Sequence, residues 1–468
     1  MFLLAISALF WGIRVLYWTQ ISEAPFSDLR DYVNVGRNIY EHFFWGASPA
    51  YPTYYAPTTP AFIALSMLMG GEAGYEWVFR FLMQGITFTG ILLLALEIIR
   101  VTQCRYFGYA LLIIVALCRP SVFWSYKIGT EPVGEALLLL TIALALRALR
   151  THGWRSAMLA AMTGAALGVG RPQFLPAVFL MGLTLALWIG RTGSPDSRRI
   201  LGLAPIPMIR QGLAFGIGML IVWTPWLVRN YQITHDIVPL GTSGAESFLW
   251  EAGGSAIGHQ TYTSLTLSDG SVVTEFGLPA LRRRVAHLPT DFERKKQMQL
   301  VVNAWIAANW RDLPALAVAR LIHYTKARGA SGLTVVSRER LFGEKDPPEN
   351  FTIPRVFNAL LFDKSAATSW IMVAGALIAI ITLGGAGLIL ANMAIVPAIT
   401  AAFVISIERA VESMISLQLW LAFFAMATVA FRLAQPTPVI RRLKTSIIER
   451  SKRTDINLRR LLCIKFKR

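Results

Sequence analysis

Eight stretches of the chain, 2–21, 75–99, 130–149, 172–190, 208–227, 367–390, 391–407 and 413–433, are apolar almost without interruption. Each runs for about 17 to 25 residues, the length an α-helix needs to cross a hydrocarbon layer of about 30 Å. In lipid every backbone N–H and C=O must be satisfied within the chain, which leaves helices or a closed barrel. Runs this long and this continuous exclude the alternating pattern of a barrel strand. The chain is therefore read as an all-α polytopic membrane protein. Its composition agrees: 54% of its 468 residues are hydrophobic and only 15% are charged, against about 25% charged in a soluble domain. Shorter apolar runs at 58–70, 106–118 and 156–170 are either short spans or helices that enter without crossing. The first window has no basic segment before it and no small-x-small cleavage site after it, so it is read as a span and not as a signal peptide.

The formal net charge is +18, from 45 Lys and Arg against 27 Asp and Glu. Placement explains the excess. Basic residues crowd the tail 441–468, the loop 191–210 and the turn 147–155, as expected for loops on the cytoplasmic side of spans. The tail is also suited to anionic headgroups. Membrane lipid, and not nucleic acid, is the expected partner of this charge. The three cysteines (Cys104, Cys118 and Cys463) are far apart, and the six histidines form no ligand spacing, so neither a disulfide framework nor a zinc site is expected.

The same charge rule orders the spans. With the N-terminus inside, 22–57 lies outside, 58–70 dips in and returns, and 75–99 crosses inward. The remaining apolar runs then alternate so that each basic loop falls inside, for ten crossings in all. Four regions follow: a membrane region over 1–227 with its first outer loop 22–57, an extracytoplasmic module 228–350, further spans over 351–434, and a basic cytoplasmic tail 435–468. Within the module, Thr290 and Glu293 have capping-box spacing ahead of an amphipathic helix. A second helix is expected from Asp312, with Pro314 in its first turn, where the missing N–H costs nothing.

The outer side collects the chemistry. The stretch APFSDLRDYVNVGRNIYEHF is expected to form a helix capped by Ser27 and ending near His42, with Asp28, Asp31, Tyr32 and Val35 on one face. Two explanations fit the acids: charges complementing the macrodipole, or a carboxylate pair with one member acting as general base. After it, YPTYYAPTTPAFIAL uses three prolines to start a helix, with Tyr54 and Tyr55 at the interface. Glu131, Glu135, Arg171, Arg229, Glu408, Arg409 and Glu412 lie in or beside spans; charges there are costly and usually serve a site or a partner. Lys127, Arg171, Arg229 and Arg409 come out on the same side as Asp28, an arrangement suited to a phosphate leaving group facing a base.

Four pieces then match a known pattern. They are DLRDY after the first span, the proline-rich YYAPTTPAFIAL, GRPQFL with Arg171 at a span end, and TPWLVRNYQITHDIVPLGTSGAESFLWEAG. In the last, the specific core is Pro225, Trp226, Arg229, Asn230 and Tyr231. The chain resembles the membrane glycosyltransferases of the GT-C fold, above all the dolichyl-phosphate-mannose protein mannosyltransferases and the bacterial lipid A aminoarabinose transferases. IERAVES around Glu408 and Arg409 resembles a late Glu-Arg-Tyr of that family, with Ala410 in place of the aromatic residue.

The resemblance implies about 10 to 12 transmembrane helices with a smaller soluble module. It also implies a sugar on a polyprenyl phosphate as donor, an acceptor on a glycan, lipid or protein, and inversion at the anomeric carbon. Asp28 would be the catalytic base; Asp31, Tyr32, Tyr55, Lys127, Glu131, Arg171, Arg229 and Arg409 would bind substrate. The expected setting is a bacterial inner or plasma membrane, with the site facing outward. Some members hold a divalent cation on a DxD motif. The spacing here is D-x-x-D, so no metal is expected, and a divalent cation stays open as an alternative. A transporter or flippase of lipid-linked sugars would also need buried charges and many spans, but would be expected to show paired internal repeats, and none stands out. A catalytically inactive relative acting in assembly is the third reading.

Overall fold

The computed structural model describes residues 2–20, 28–192, 204–243, 265–268, 270–273, 278–326, 366–404 and 414–434. The protein is an all-α polytopic membrane protein. Its apolar helices are α1 (Phe2–Gln20), α3 (Thr58–Thr102), α4 (Arg105–Leu117), α6 (Thr130–Thr151), α7 (Trp154–Gly170), α8 (Leu175–Thr192), α9 (Pro205–Thr234), α13 (Ala366–Leu383), α14 (Gly385–Val404) and α15 (Ile415–Ala434). Between them lie α2 (Asp28–His42) and the short α5 (Arg119–Trp124). A separate group holds a two-residue hairpin, β1 (Leu265–Thr266) with β2 (Val272–Val273), and α10 (Leu278–Val285), α11 (Asp291–Asn309) and α12 (Leu313–Lys326). Among the described residues, six helices are long and apolar enough to cross a membrane: α1, α3, α6, Pro172–Thr192, α9 and α14; α4, α13 and α15 are apolar but carry shorter windows.

Side-chain contacts give the directions. α1 runs against the second half of α3, with Trp18 6.1 Å from Trp77 and Phe10 5.1 Å from Phe88. α6 runs along with that half of α3, from Arg80 Nε on Tyr126 O (2.8 Å) to Arg150 Nε on Glu97 (2.7 Å). α7 returns against α6, from Thr141–Thr163 (2.9 Å) to Glu131–Arg171 (3.4 Å). The alternation read from the sequence is present over these helices.

The segment 58–70 is the first part of α3. Gly71 (φ +63°) breaks the helix after it, a backbone conformation that favours glycine. Thr58 Oγ1 donates to Ala166 O (2.8 Å) near the end of α7, while beyond the break Glu72 pairs with Arg37 of α2 and Arg80 reaches Tyr126. Both ends of the segment thus lie at one end of the bundle, and it packs beside α2.

Three boundaries differ from expectation. The break between the late spans falls at Gly384 (φ +58°), not at 390–391. The run from 367 to 407 has uniform hydropathy, so only the conformational freedom of that glycine marks the turn. Helix α9 continues past 227 to Thr234, through Pro225 inside it. The third difference concerns α12. It starts one residue after Asp312, with Pro314 in its first turn, and Leu316 joins the small core of Val285, Met298, Val301 and Trp305. Its Ala317, however, belongs to the bundle core, and Arg320 donates to Ala402 O of α14 (3.0 Å). The group of the hairpin and α10–α12 is thereby seated on the bundle. The capping box of α11 is present, with Thr290 and Glu293 bonded reciprocally.

The bundle also contains a buried relay from Arg14 through Ser121 to Glu135, only half visible in the sequence. Arg14 of α1 is fully buried. It donates to Gln84 Oε1 (2.7 Å), to Ser121 Oγ (2.8 Å) and to the carbonyls of Val115 and Ala116 (both 3.2 Å) at the end of α4. Ser121 passes the chain of bonds to Glu135 (2.8 Å), whose other oxygen accepts from Ser416 at the start of α15 (3.0 Å). Removing one buried charge of such a relay leaves the other less well compensated, which is destabilising. Arg14→Leu is therefore expected to lower the unfolding temperature markedly, and Arg14→Leu combined with Glu135→Leu to recover much of the loss; an unchanged melt of the single variant would contradict this.

Candidate active site

The site forms where α2, the starts of α3 and α6 and the end of α7 meet. Asp28 is the first residue of α2. Leu29, next to it, is buried against Gly129, where a Cβ would stand 2.5 Å from Leu29 Cδ2. That contact sets the start of α2 beside the turn leading into α6. The turn carries Lys127 and Glu131, and Arg171 caps α7 opposite them. All three are buried, at 6%, 1% and 7% exposure. Arg171 Nη2 lies 3.4 Å from Glu131 Oε1. Lys127 Nζ lies 4.7 Å from the Tyr126 ring and 5.7 Å from the Phe123 ring, so aromatic faces share in holding its charge. Two cations and one carboxylate are thus kept out of water at the end of the bundle where α2 begins.

One helical turn further along α2, Asp31 Oδ2 accepts a hydrogen bond of 2.7 Å from the Tyr55 hydroxyl. Tyr55 in turn packs edge-on against Tyr32 (5.0 Å) and Tyr54 (4.7 Å). Burial and the Asp31 carboxylate push the Tyr55 hydroxyl well above its usual range. A bond from a hydroxyl to a carboxylate is worth about 1.5–3 kcal/mol. Tyr55→Phe should lower thermal stability by that order; an unchanged melt would contradict the assignment.

Arg229 lies on the far side of the loop that carries these tyrosines. Its Nη2 donates to Pro52 O (2.7 Å) and Trp45 O (3.1 Å), its Nη1 to Asn230 Oδ1 (2.8 Å), and it sits 4.9 Å from the Trp226 ring. It holds the loop. The Trp-x-x-Arg-Asn run is explained locally, since Asn230 also donates to Val238 O (2.9 Å). Among the predicted positions, then, Glu131 and Arg171 pair beside the start of α2, and Lys127 lies on the same turn into α6 against the Tyr126 and Phe123 rings. Asp31, Tyr32 and Tyr55 join one turn away, and Arg229 supports from behind. Ser27 and Arg409 lie outside the described residues.

Sequence reasoning missed Asp291. It reads as a first-turn acid of the capping box, yet it is buried and ties α11 to the loop. Its Oδ2 accepts from Thr53 N (3.1 Å), Thr53 Oγ1 (3.1 Å) and Thr242 Oγ1 (2.7 Å), and its own N–H donates to Ala50 O (2.9 Å). Burial raises its pKa above the usual carboxylate range, against those bonds. No periodicity could reveal partners 49 and 238 residues away. Between the loop and α10–α11 lies a cleft of about 550 Å³, bordered by Asp31, Tyr51, Tyr54 and Tyr55 on one side and by Arg282, Asp291, Arg294 and Lys295 on the other. Among the described residues, no group of three or more His, Cys, Asp or Glu side chains comes together.

No family model matches the chain, and no curated protein matches it. Among solved structures it is similar to the crystal structure of the Archaeoglobus fulgidus oligosaccharyltransferase in complex with Zn and sulfate, at 11% identity and a TM-score of 0.47, covering 92% of this chain and 49% of that one. The apo form of that enzyme gives a TM-score of 0.44 at 11% identity, covering 95% and 52%. The archaeal oligosaccharyltransferase AglB from the same organism, in complex with an inhibitory peptide and a dolichol-phosphate, gives 0.43 at 10% identity, covering 97% and 53%. The chain spans about half the length of these structures.

Proposed function

We propose that this chain is an integral membrane glycosyltransferase of the GT-C type, which moves a sugar from a polyprenyl-phosphate donor to an acceptor hydroxyl at the extracytoplasmic face. The observation that carries the reading is the buried Glu131–Arg171 pair, with the buried Lys127 on the turn into α6, set against the start of α2. Charges this far from water are costly, and the candidate base read from the sequence is the first residue of that helix. The resemblance in sequence to the mannosyl- and aminoarabinosyltransferases supports the donor class.

In the proposed step, Asp28 takes the proton of the acceptor hydroxyl. The freed oxygen attacks the anomeric carbon from the face opposite the phosphate, so the configuration inverts. The bond from that carbon to the phosphate oxygen breaks and its electron pair leaves on the polyprenyl phosphate. Arg171 and Lys127 stabilise the charge that develops there, from fixed positions in a medium of low dielectric. Asp31, oriented by Tyr55, lines the approach of the acceptor, and Arg229 keeps the loop in place. No step uses a metal ion.

Supply of a panel of radiolabelled polyprenyl-phosphate sugars to membranes containing the protein tests the reading. One donor should pass its label to a non-lipid or second lipid product, and cysteines at positions 28 and 455 should label from opposite sides. Label that never leaves any donor would sink it.

A further inference from the structure

A groove of about 410 Å³ lies between α7 and α9, lined by Trp154, Met158, Ile209, Arg210, Leu213 and Ile217. It sits at the other end of α7 from Arg171, away from the step just described. Two contacts fix its level in the bundle. Gln211 Nε2 donates to His152 O (2.7 Å), just after α6, and Gly218 lies against the Met158 carbonyl. The groove therefore opens beside the turn from α6 to α7 and follows both helices inward. From Arg210 to Ile217 it runs about 10 Å along α9, at 1.5 Å per residue.

The groove and its mouth differ in chemistry. Ile209, Leu213 and Ile217 are exposed along it, a contiguous apolar face that marks contact with lipid or a partner. At the mouth stand two hydrogen-bond donors. Arg210 is exposed and makes no ion pair or hydrogen bond with a described residue, and the indole N–H of Trp154 has no acceptor among the described residues. Neither α7 nor α9 carries an Asp or Glu. Glu97, at the same end of the bundle, is already held by Arg100 and Arg150. Arg147, Arg155 and Arg191 add exposed cations at that end.

We infer that this groove binds one anionic phospholipid, with an acyl chain along Leu213 and Ile217 and the headgroup phosphate on Arg210 and the Trp154 indole. Charge decides the occupant. The arginine fork takes two phosphate oxygens, and an indole N–H at a membrane interface points to the same level. Basic pockets between transmembrane helices suit such headgroups. A zwitterionic lipid would bring a cation of its own to a mouth that has no acid to receive it. An uncharged hydrocarbon tail or an apolar helix would fill the groove and leave Arg210 facing hydrocarbon, which is costly. Free phosphate would leave the apolar face uncovered. The inference does not depend on the transferase reading.

The purified whole protein in detergent is titrated with dioleoylphosphatidylglycerol, dioleoylphosphatidylcholine, undecaprenol and inorganic phosphate, and the bound molecules are counted by native mass spectrometry. One phosphatidylglycerol should be retained per chain, at least about tenfold more tightly than phosphatidylcholine, as one or two charge-assisted bonds would give. Arg210→Gln should remove that preference at an unchanged unfolding temperature. Arg191→Gln deletes the same charge at the same end, outside the groove, and should keep it. Leu213→Ala with Ile217→Ala should weaken both phospholipids alike. Equal retention of the two phospholipids, an equal loss in Arg210→Gln and Arg191→Gln, or displacement of the lipid by inorganic phosphate would each overturn the inference. Displacement by undecaprenol would overturn it in favour of a polyprenyl tail. Ready formation of a disulfide-linked dimer by Ile217→Cys in vesicles would overturn it in favour of a second copy of this chain.

Discussion

Asp28→Asn is expected to reduce sugar transfer at least about 10³-fold, within the range a positioned general base supplies, and to leave insertion and unfolding almost unchanged. The two effects separate because the residue has two physical roles of very different size. As the first residue of α2, Asp28 complements the helix macrodipole by about 0.3–1 kcal/mol. Asparagine gives up that charge and little else, so the helix should persist. As a base it cannot be replaced by an amide, which does not accept a proton near neutral pH. Asp31→Asn is the control, since it removes an acid from the same turn. It should disturb the bond from Tyr55 (2.7 Å) and cost stability, yet retain far more transfer. If both variants transferred at the wild-type rate, the acids would be helix charges and nothing more.

The second large effect concerns Arg171. It is 7% exposed and faces a Glu131 that is 1% exposed. Removing the guanidinium takes away the buried partner 3.4 Å from that carboxylate, and breaking a buried pair from one side is destabilising. Arg171→Met should therefore unfold at a clearly lower temperature and transfer no sugar. Arg171→Met combined with Glu131→Leu should regain much of the stability, because a buried pair replaced by apolar side chains of similar volume is often neutral. Transfer should not return with it, since a cation facing the leaving phosphate is worth about 10²–10³ in rate. Stability recovered together with activity would mean that Arg171 only balances Glu131.

What the sequence could reveal depended on the range of the interaction. The spans, the helix ending at His42, the capping box at Thr290 and Glu293 and the role of Pro314 are local, and each is present in the structure. Boundaries inside uniform apolar sequence were misplaced, as at Gly384, because hydropathy carries no signal there. Arg14 shows a further limit. Within a window of high mean hydropathy a single arginine reads as tolerated, and only the packing of α1 on α4 and α5 brings it to Ser121 and, through it, Glu135. Asp291 was hidden for the opposite reason. It had a sufficient local explanation as a first-turn acid, while its bonds to Thr53 and Thr242 are made across the fold.

The central claim is that a glycosidic bond to phosphate is broken at the α2 end of the bundle, and the fate of the donor tests it most directly. A polyprenyl-phosphate sugar labelled both in the sugar and in the phosphate is given to the purified protein in vesicles, together with an acceptor. The expected result is one polyprenyl phosphate released for each sugar transferred, with the anomeric configuration of the product opposite to that of the donor. Donor recovered intact on the other leaflet, with both labels still joined, would contradict the claim and identify the chain as a carrier of lipid-linked sugar instead.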